Sequence, residues 1–229
     1  VKFEDPTLNI QNYKEDRGIV WQKDAGSLYD IISEHLEVFR VNQMEVRNGS
    51  FHFEKMKGLK RRYSIENISF SIKNFLLDSE SRLNRDKFFY TDDIDLELVD
   101  QYINLKDSIH TLYFKKLVLS TTQSEIFVDS LIVSENPNHT SAGLIRDFYI
   151  IYVPSINIKN IDFKSAYNDE VLNIGKLDIF FPKISISDFP KEEGQDSTKS
   201  SLASLVLDYF SNIAVDSFNL SNASLGYQF

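Results

Sequence analysis

INIKNIDF, residues 156–163, is the stretch that decides how the rest of the chain is interpreted. Apolar and polar residues alternate as in a β-strand, slip by one position at Lys159-Asn160, and then resume the alternation. The same pattern, four apolar residues around a non-apolar central pair, returns in FRVNQMEV (39–46), YSIENISF (63–70), LYFKKLVL (112–119), IFVDSLIV (126–133), LNIGKLDI (172–179) and IAVDSFNL (213–220). Chance gives roughly 2 such windows in a chain of this composition. The slip is therefore part of the architecture.

A slipped strand has a defined structural consequence. In a flat strand, a slip of one residue turns the second half to the opposite face of the sheet. A β-bulge restores the face and bends the strand. We therefore expect a mainly β fold: a long antiparallel, bulged and curled sheet, shaped as a groove or open barrel, with short amphipathic helices. The alternative is a sandwich in which each slip marks a strand that changes sheets.

The composition restricts the class of function. Eighteen Phe and eleven Tyr beside 8 Gly and 5 Pro favour long strands. A net charge of −9 argues against nucleic acid as a partner, because phosphates require a field of Lys and Arg. The chain has no cysteine, which excludes disulfides, zinc–thiolate sites and thiol nucleophiles.

The two ends of the chain resemble each other. Residues 27–53 align without a gap on residues 201–227, at an offset of 174, and ten positions are apolar in both. Upstream of them, FEDPTLNI (3–10) resembles IFFPKISI (179–186), with proline at the same place in each. We therefore expect the end of a preceding repeat (1–12), a linker (13–26), one complete repeat (27–187), a second linker (188–200) and the start of the next repeat (201–229). This organisation implies a longer parent protein.

We expect three helices, two of them from the helical spacing of apolar residues. One covers 27–39 and its counterpart covers 201–210, each leading directly into a slipped strand. A short third helix is expected over 140–149, before Pro154 opens the INIKNIDF strand.

Motifs for catalysis or metal binding were sought without success. The four histidines lack metal-ligand spacing, so we expect solvated or capping roles for His35, His52, His110 and His139. TDDIDLE (91–97) lacks the glycine and terminal glutamate of a calcium loop, and it predicts a charged strand edge instead. The chain contains no nucleophile elbow, phosphate loop or dinucleotide motif. We therefore expect a protein that is not an enzyme and that uses no cofactor or metal.

Four stretches resemble the repeat unit of bacterial AsmA-like proteins, especially the forms common in Bacteroidetes. They are VPSINIKNIDFKSAYNDEVLNIGKLDIFFPKISISD (153–188), VNQMEVRNGSFHFE (41–54), the segment SIENISFSIKNFLLDS (64–79) that follows it, and IDLELVDQYINLKDSIHTLYFKKLVLSTTQSEIFVDSLIVS (94–134). The resemblance implies a periplasmic protein that is anchored in the inner membrane by a segment outside this chain. It also implies a curled sheet whose apolar groove moves phospholipids between the inner and outer membranes, with protein partners possible at the ends of the full-length protein.

An apolar sheet face supplies the candidate residues for such a groove. Their alternation with polar neighbours predicts that they share one face, which needs a ligand, a cover or a second sheet. They are Phe70, Ile72, Ile126, Val128, Ile156, Ile158, Ile161, Phe163, Leu172, Ile174, Leu177 and Ile179. The alternatives are a structural scaffold or cell-surface adhesion protein without lipid cargo, and an enzyme with an unrecognised site.

Overall fold

The computed structural model describes residues 1–12, 37–55, 62–80, 87–105, 110–136, 148–187 and 211–228. Its strands are β1 (Lys2–Glu4), β2 (Thr7–Asn12), β3 (Phe39–Lys55), β4 (Arg62–Leu77), β5 (Asp93–Asn104), β6 (His110–Ser120), β7 (Glu125–Glu135), β8 (Phe148–Ile161), β9 (Val171–Phe180), β10 (Lys183–Ser187), β11 (Asn212–Ser221) and β12 (Ser224–Gln228). A short helix, α1 (Phe163–Asn168), connects β8 to β9. Both expected linkers, the helix over 201–210 and most of the helix over 27–39 fall outside these described residues.

The expected mainly β fold with one long, curled sheet is confirmed. All twelve strands of the described residues belong to a single mixed sheet, which is not closed into a barrel. From β3 to β9 the strands are neighbours in chain order, and every pair is antiparallel. Because consecutive strands pair with each other, the sheet is built mostly from short local connections.

Parallel pairs at the two ends of the sheet were not predicted. β1 and β2 run parallel to β3 and pair with successive parts of it. At the other end, β9 and β10 run parallel to β11 and β12. Parallel neighbours require a long crossover connection, and the segments 13–38 and 188–211 are long enough to provide it.

The slips take two forms in the structure. Between β3 and β4 the register shifts around Gly49, as a bulge requires. Between the central strands the register stays constant: Val99 pairs with Lys116 before the slip, and Gln101 pairs with Phe114 after it. Neighbouring strands slip at the same level, so neither strand gains an extra residue.

A residue in the left-handed conformation marks many of these slips. Asn67, Asn74, Asp100, Ser130 and Asn160 have φ between 52° and 55° within their strands. Asparagine and aspartate tolerate this conformation better than other residues with a side chain, because their short polar groups can bond locally. The slipped positions therefore break the alternation without ending the strand.

The apolar side chains on both sides of a slip meet on one face. β4 has a second slip at Lys73-Asn74, where Asn74 is left-handed. Ile72 lies before this slip and Phe75 and Leu77 lie after it, yet the three form one buried cluster with Tyr90. Val41 and Met44, on either side of the slip of β3, pack against the same cluster. The slip thus keeps one face apolar along the full length of these strands, as the sequence predicted.

The left-handed residues also line up across the sheet. A line of irregular positions, which we call the transverse crease, runs across the sheet from strand to strand. It passes through Asp5, Asn48, Asn67, Asp100, Ser130, Pro154, Phe181 and Asn222. All of these except Pro154 have positive φ.

Three expectations about local structure were wrong. Phe39 begins β3 instead of ending a helix, and the helix expected over 140–149 does not reach its end, because Phe148 already begins β8. Pro154 lies in the middle of β8, at the crease, where the ladder pairs Ser155 and Val153 but not the proline itself. A proline is tolerated there because its missing N–H breaks no ladder bond.

Candidate functional site

The pairing register joins the apolar face into rows that run across the strands. Residues directly opposite each other on neighbouring strands point to the same face. The central row consists of Phe3, Val46, Phe70, Leu96, Leu119, Ile126, Ile158, Leu177 and Phe218. It crosses nine strands without a polar side chain.

Two further rows run beside the central row. The second row consists of Ile68, Leu98, Leu117, Val128, Ile156, Ile179 and Leu220. Beyond the transverse crease, the far row consists of Ile103, Leu112, Val133, Ile151, Ile184 and Leu225. The face carrying the three rows is called the groove face below. An apolar path therefore crosses the whole width of the sheet on one side.

Most residues of the groove face remain partly accessible. In the central row only Val46 is buried; the residues from Phe70 to Leu177 are intermediate, and the two ends are exposed. The far row contains Val133, which is fully buried, between half-buried neighbours. A sealed core would bury nearly all such side chains, whereas this face is only partly covered.

The structure brings most of the predicted groove residues together. The central and second rows contain Phe70, Ile126, Val128, Ile156, Ile158, Leu177 and Ile179, and Ile72 lies beside them, opposite Ile94. Ile161 and Ile174 pair with each other and are buried. Leu172, on β9, pairs with Ile213 on the outermost strand, β11.

Phe163 differs from the prediction because it lies in α1 and not in a strand. The side chain of Asp162 caps the helix, with Oδ1 accepting the backbone N–H of Ser165 at 3.0 Å. The hydroxyl of Ser165 also donates to this carboxylate, and these bonds lower the pKa of Asp162. A cap followed by FKSAYN is a helix start that the alternation of INIKNIDF concealed.

An aromatic bridge connects two distant parts of the sheet at one end of the groove face. We define it as Phe88, Phe89, Phe163 and Tyr167. The ring centroids of Phe88 and Phe163 are 5.6 Å apart, and those of Phe88 and Tyr167 are 5.5 Å apart. Along the sheet, the β4–β5 and β8–β9 connections are separated by four strand spacings, about 19 Å when flat. The bridge therefore joins the β4–β5 connection to the β8–β9 connection across the curled sheet.

The bridge is attached to the apolar side of the sheet. Tyr90 follows the bridge residues and packs with Phe75, at a centroid distance of 6.2 Å, in the buried cluster. The backbone N–H of Leu76 donates to the carbonyl of Tyr90 at 3.0 Å. Burial, together with the neighbouring Tyr90, raises the pKa of Tyr167 to about 12. The bridge thus holds a neutral phenol in an apolar setting.

The opposite face of the sheet is polar and charged. Cross-strand ion pairs join Lys116 to Glu97 at 2.9 Å and Lys159 to Glu125 at 3.4 Å. Asp178 lies on this face and is buried, and the bond from Lys176 lowers its pKa. The sheet is therefore amphipathic across its thickness, with one face suited to water and the other to apolar matter.

We had expected the carboxylates of TDDIDLE at a strand edge. The structure instead places those of β5 on this polar face. β5 is an internal strand, paired with β4 and β6. Asp95 accepts a bond from the hydroxyl of Ser120 at 2.6 Å, and Asp93 pairs with Lys73 at 3.4 Å. Among the described residues, no group of three or more His, Asp or Glu side chains is placed to hold a metal ion.

Gln101 is the polar residue that sequence reasoning missed on the groove face. It pairs with Phe114 and is 5% exposed. Its amide donates to the carbonyl of Val99 at 2.7 Å and to that of Glu66 on β4. The last pair of the β4–β5 ladder is Ile68 with Leu98. The side chain of Gln101 therefore connects the two strands just beyond the point where their backbone pairing stops.

His110 is buried, although a solvated or capping role was expected. It is 2% exposed, and its ring stacks on that of Tyr149 at a centroid distance of 3.9 Å. The pair lies on the groove face, with His110 at the first residue of β6, two residues before Leu112 of the far row. His52, in contrast, is partly exposed, with Nδ1 2.9 Å from the hydroxyl of Ser64.

Comparisons with protein-family models, curated proteins and solved structures find no match for this chain. Within the described ranges, no helix has the length and apolarity to cross a membrane.

Proposed function

We propose that this chain is a non-catalytic repeat module whose groove face binds phospholipid acyl chains. The observation that carries the proposal is the central row, an unbroken line of apolar side chains across nine strands. A row at right angles to the strands offers a continuous apolar path. Acyl chains can move along it while their headgroups stay in water.

The accessibility of the face supports binding over simple packing. A sandwich fills such a face with a second sheet, but all strands of the described residues belong to one sheet. Apolar side chains that stay partly accessible from strand to strand, as in the central row, are typical of a binding surface. The polar opposite face, with its ion pairs, keeps that side of the sheet in water.

The setting of the module follows from the sequence resemblance to AsmA-like proteins. On this proposal the full-length protein resides in the periplasm, is anchored in the inner membrane by a segment outside this chain, and carries phospholipid between the two membranes. Residues 27–187 form one complete repeat of it. The proposed activity requires no cofactor, because moving a lipid along an apolar surface makes and breaks no covalent bond.

Lipid extraction tests the proposal. The protein is purified without detergent, its bound lipids are extracted with organic solvent, and they are identified by mass spectrometry. We expect phospholipid to copurify with the protein, and lipid-stripped protein to take up phospholipid again from vesicles. A scaffold or adhesion protein without cargo would yield no lipid in either measurement.

A further inference from the structure

The two parallel joints at the ends of the sheet are built in the same register. Phe3 pairs with Val46 at one joint, and Ile179 pairs with Leu220 at the other. Thr7 pairs with Ser50, and Lys183 pairs with Ser224. The β3 partners are 174 positions from their β11–β12 counterparts, and the outer partners are 176 positions apart. The broken strands β1–β2 and β9–β10 are therefore structural equivalents, as are β3 and β11–β12.

Hydrogen bonds at the breaks are also the same. The N–H of Asp5 donates to the carbonyl of Arg47 at 3.0 Å, and that of Phe181 donates to Ser221 at 2.8 Å. After each break, Pro6 and Pro182 accept bonds from Ser50 and Ser224, both at 2.8 Å. Asp5 and Phe181 have φ of 48° and 51°. Two segments of different sequence thus form one type of joint.

One difference separates the two equivalents. β3 is paired on its other side with β4, from Phe39–Leu77 to Glu54–Arg62. Among the described residues, β11–β12 has no neighbour on that side. Val46 is 8% exposed, whereas its equivalent Leu220 is 48% exposed. Among the described residues, β11 therefore has no strand on its second side and leaves apolar side chains such as that of Leu220 uncovered.

We propose that the free edge of β11–β12 binds an antiparallel strand of the β4 type, supplied by the next repeat of the same protein. The β3–β4 pair specifies the register of this strand, with apolar residues equivalent to Phe70 and Ile72 opposite Leu220 and Phe218. A central polar pair equivalent to Lys73-Asn74 lies opposite Asp216-Ser217. The pairing extends the groove face into the next repeat, and it does not depend on lipid binding.

A second copy of this chain cannot provide that strand without unfolding. β4 is already paired on both sides, with β3 and with β5. The strands β1–β2 of another copy are not of the required type either. They are equivalent to β9–β10, which pair with β11–β12 on its opposite side. The proposed occupant is therefore a β4-type strand that is not yet paired, and pairing with the β11–β12 edge of a second copy is the outcome that the test below must separate from it.

An appended strand tests the proposal. Lys55 corresponds to Phe229 at the offset of 174, so a copy of residues 56–77 joined directly after Phe229 reproduces the β3–β4 connection. In this variant Leu220→Cys is combined with Phe70→Cys in the appended copy only. Directly opposite residues in a ladder are within disulfide reach, and the chain has no other cysteine. The matched control combines Leu220→Cys with Ser71→Cys in the appended copy.

We expect both free thiols to disappear on mild oxidation in the first variant and to persist in the control, because a shift of one residue turns the side chain to the opposite face. Hydrogen exchange of the amides in 212–228 slows in the appended variant without cysteines.

Persistent thiols in both variants, equal oxidation in both, or unchanged amide exchange would overturn the proposal. A covalent dimer of the unextended Leu220→Cys protein would also overturn it, because the edge would then pair with a second copy. If the appended variant fails to fold, a labelled peptide of residues 62–77 replaces it, and the absence of binding to the unmodified protein contradicts the proposal.

Discussion

Asn48 and Asn222 adopt the same left-handed backbone conformation, with φ of 51° and 52°, although 174 positions separate them. Each lies where the transverse crease passes through a parallel joint between broken and continuous strands. The crease therefore passes through both parallel joints with the same backbone conformation.

The slips at Lys159-Asn160 in β8 and at Gly175-Lys176 in β9 lie opposite each other and lead to a prediction about Gly175. A Cβ added there would lie 2.7 Å from the Cβ of Asn160, which is too close for unstrained packing. We expect Gly175→Ala to lower the free energy of unfolding by about 1–3 kcal/mol. Urea unfolding of the variant measures the loss.

The double variant with Asn160→Gly identifies the cause. All three of the nearest atoms to the added Cβ belong to the Asn160 side chain, and glycine accepts the left-handed conformation of position 160. We expect Gly175→Ala to cost less by at least about 0.5 kcal/mol in the Asn160→Gly background. Additive effects of the two changes would show that the strain arises elsewhere.

The aromatic bridge predicts a stability change at high pH. The pKa of Tyr167 is raised from 10.0 to about 12 in the folded protein. The folded protein therefore favours the neutral phenol of Tyr167. The stability that this preference contributes is complete below pH 10 and is lost as the pH rises through about 12. In Tyr167→Phe we expect a smaller loss of stability across this interval, measured by urea unfolding. Tyr102→Phe, which removes a phenol that is 70% exposed, is the control; equal pH dependence in wild type and Tyr167→Phe contradicts the prediction.

The cap of α1 predicts an effect at low pH. Asp162→Ala removes the acceptor for the Ser165 N–H, and we expect a loss of about 1 kcal/mol at neutral pH. The pKa of Asp162 lies below its ordinary 3.8. The contribution of the charge is therefore present above that pH and is lost as the pH falls through the lowered value. Asp162→Asn retains the cap without titrating, so its stability should depend less on pH below 3.8 than that of wild type.

Aspartate substitutions separate groove from core. Ile174 is buried, so Ile174→Asp should cost several kcal/mol and unfold the protein. Ile158 is half-buried in the central row, so Ile158→Asp should fold, at a cost of about 1–2 kcal/mol, and lose bound lipid. Ile150→Asp, on the polar face and 41% exposed, is the control and should retain both fold and lipid. Equal lipid content in the Ile158 and Ile150 variants would exclude the central row as the binding surface.

The slipped alternation was enough to predict which residues share the groove face. Ile126, Ile158 and Leu177 meet in one row because their strands pair in chain order, so that local pattern and tertiary position agree. The parallel joints were not predictable in this way. They depend on crossover connections whose direction leaves no mark in apolar periodicity.

Other features could not be predicted because the same sequence pattern fits two different local structures. Phe163 continues the alternation of INIKNIDF, but the cap by Asp162 makes it the first residue of a helix. Gln101 is a polar residue among the apolar residues of the groove face, and its role depends on the carbonyl of Glu66 in another strand. Such long-range polar contacts cannot be read from spacing along one segment.

A pair of consecutive residues on β8 provides the most direct test of lipid binding. Ile151 lies in the far row, paired with Val133 and Ile184, whereas Ile150 points to the opposite face, beside Ser185. A photoreactive amino acid is placed at each position in turn, the protein is irradiated with phospholipid vesicles, and covalent lipid adducts are measured by mass spectrometry. The groove account predicts adducts at position 151 and none above background at position 150. Equal labelling at the two positions, or no labelling at 151 in a folded protein, would contradict it.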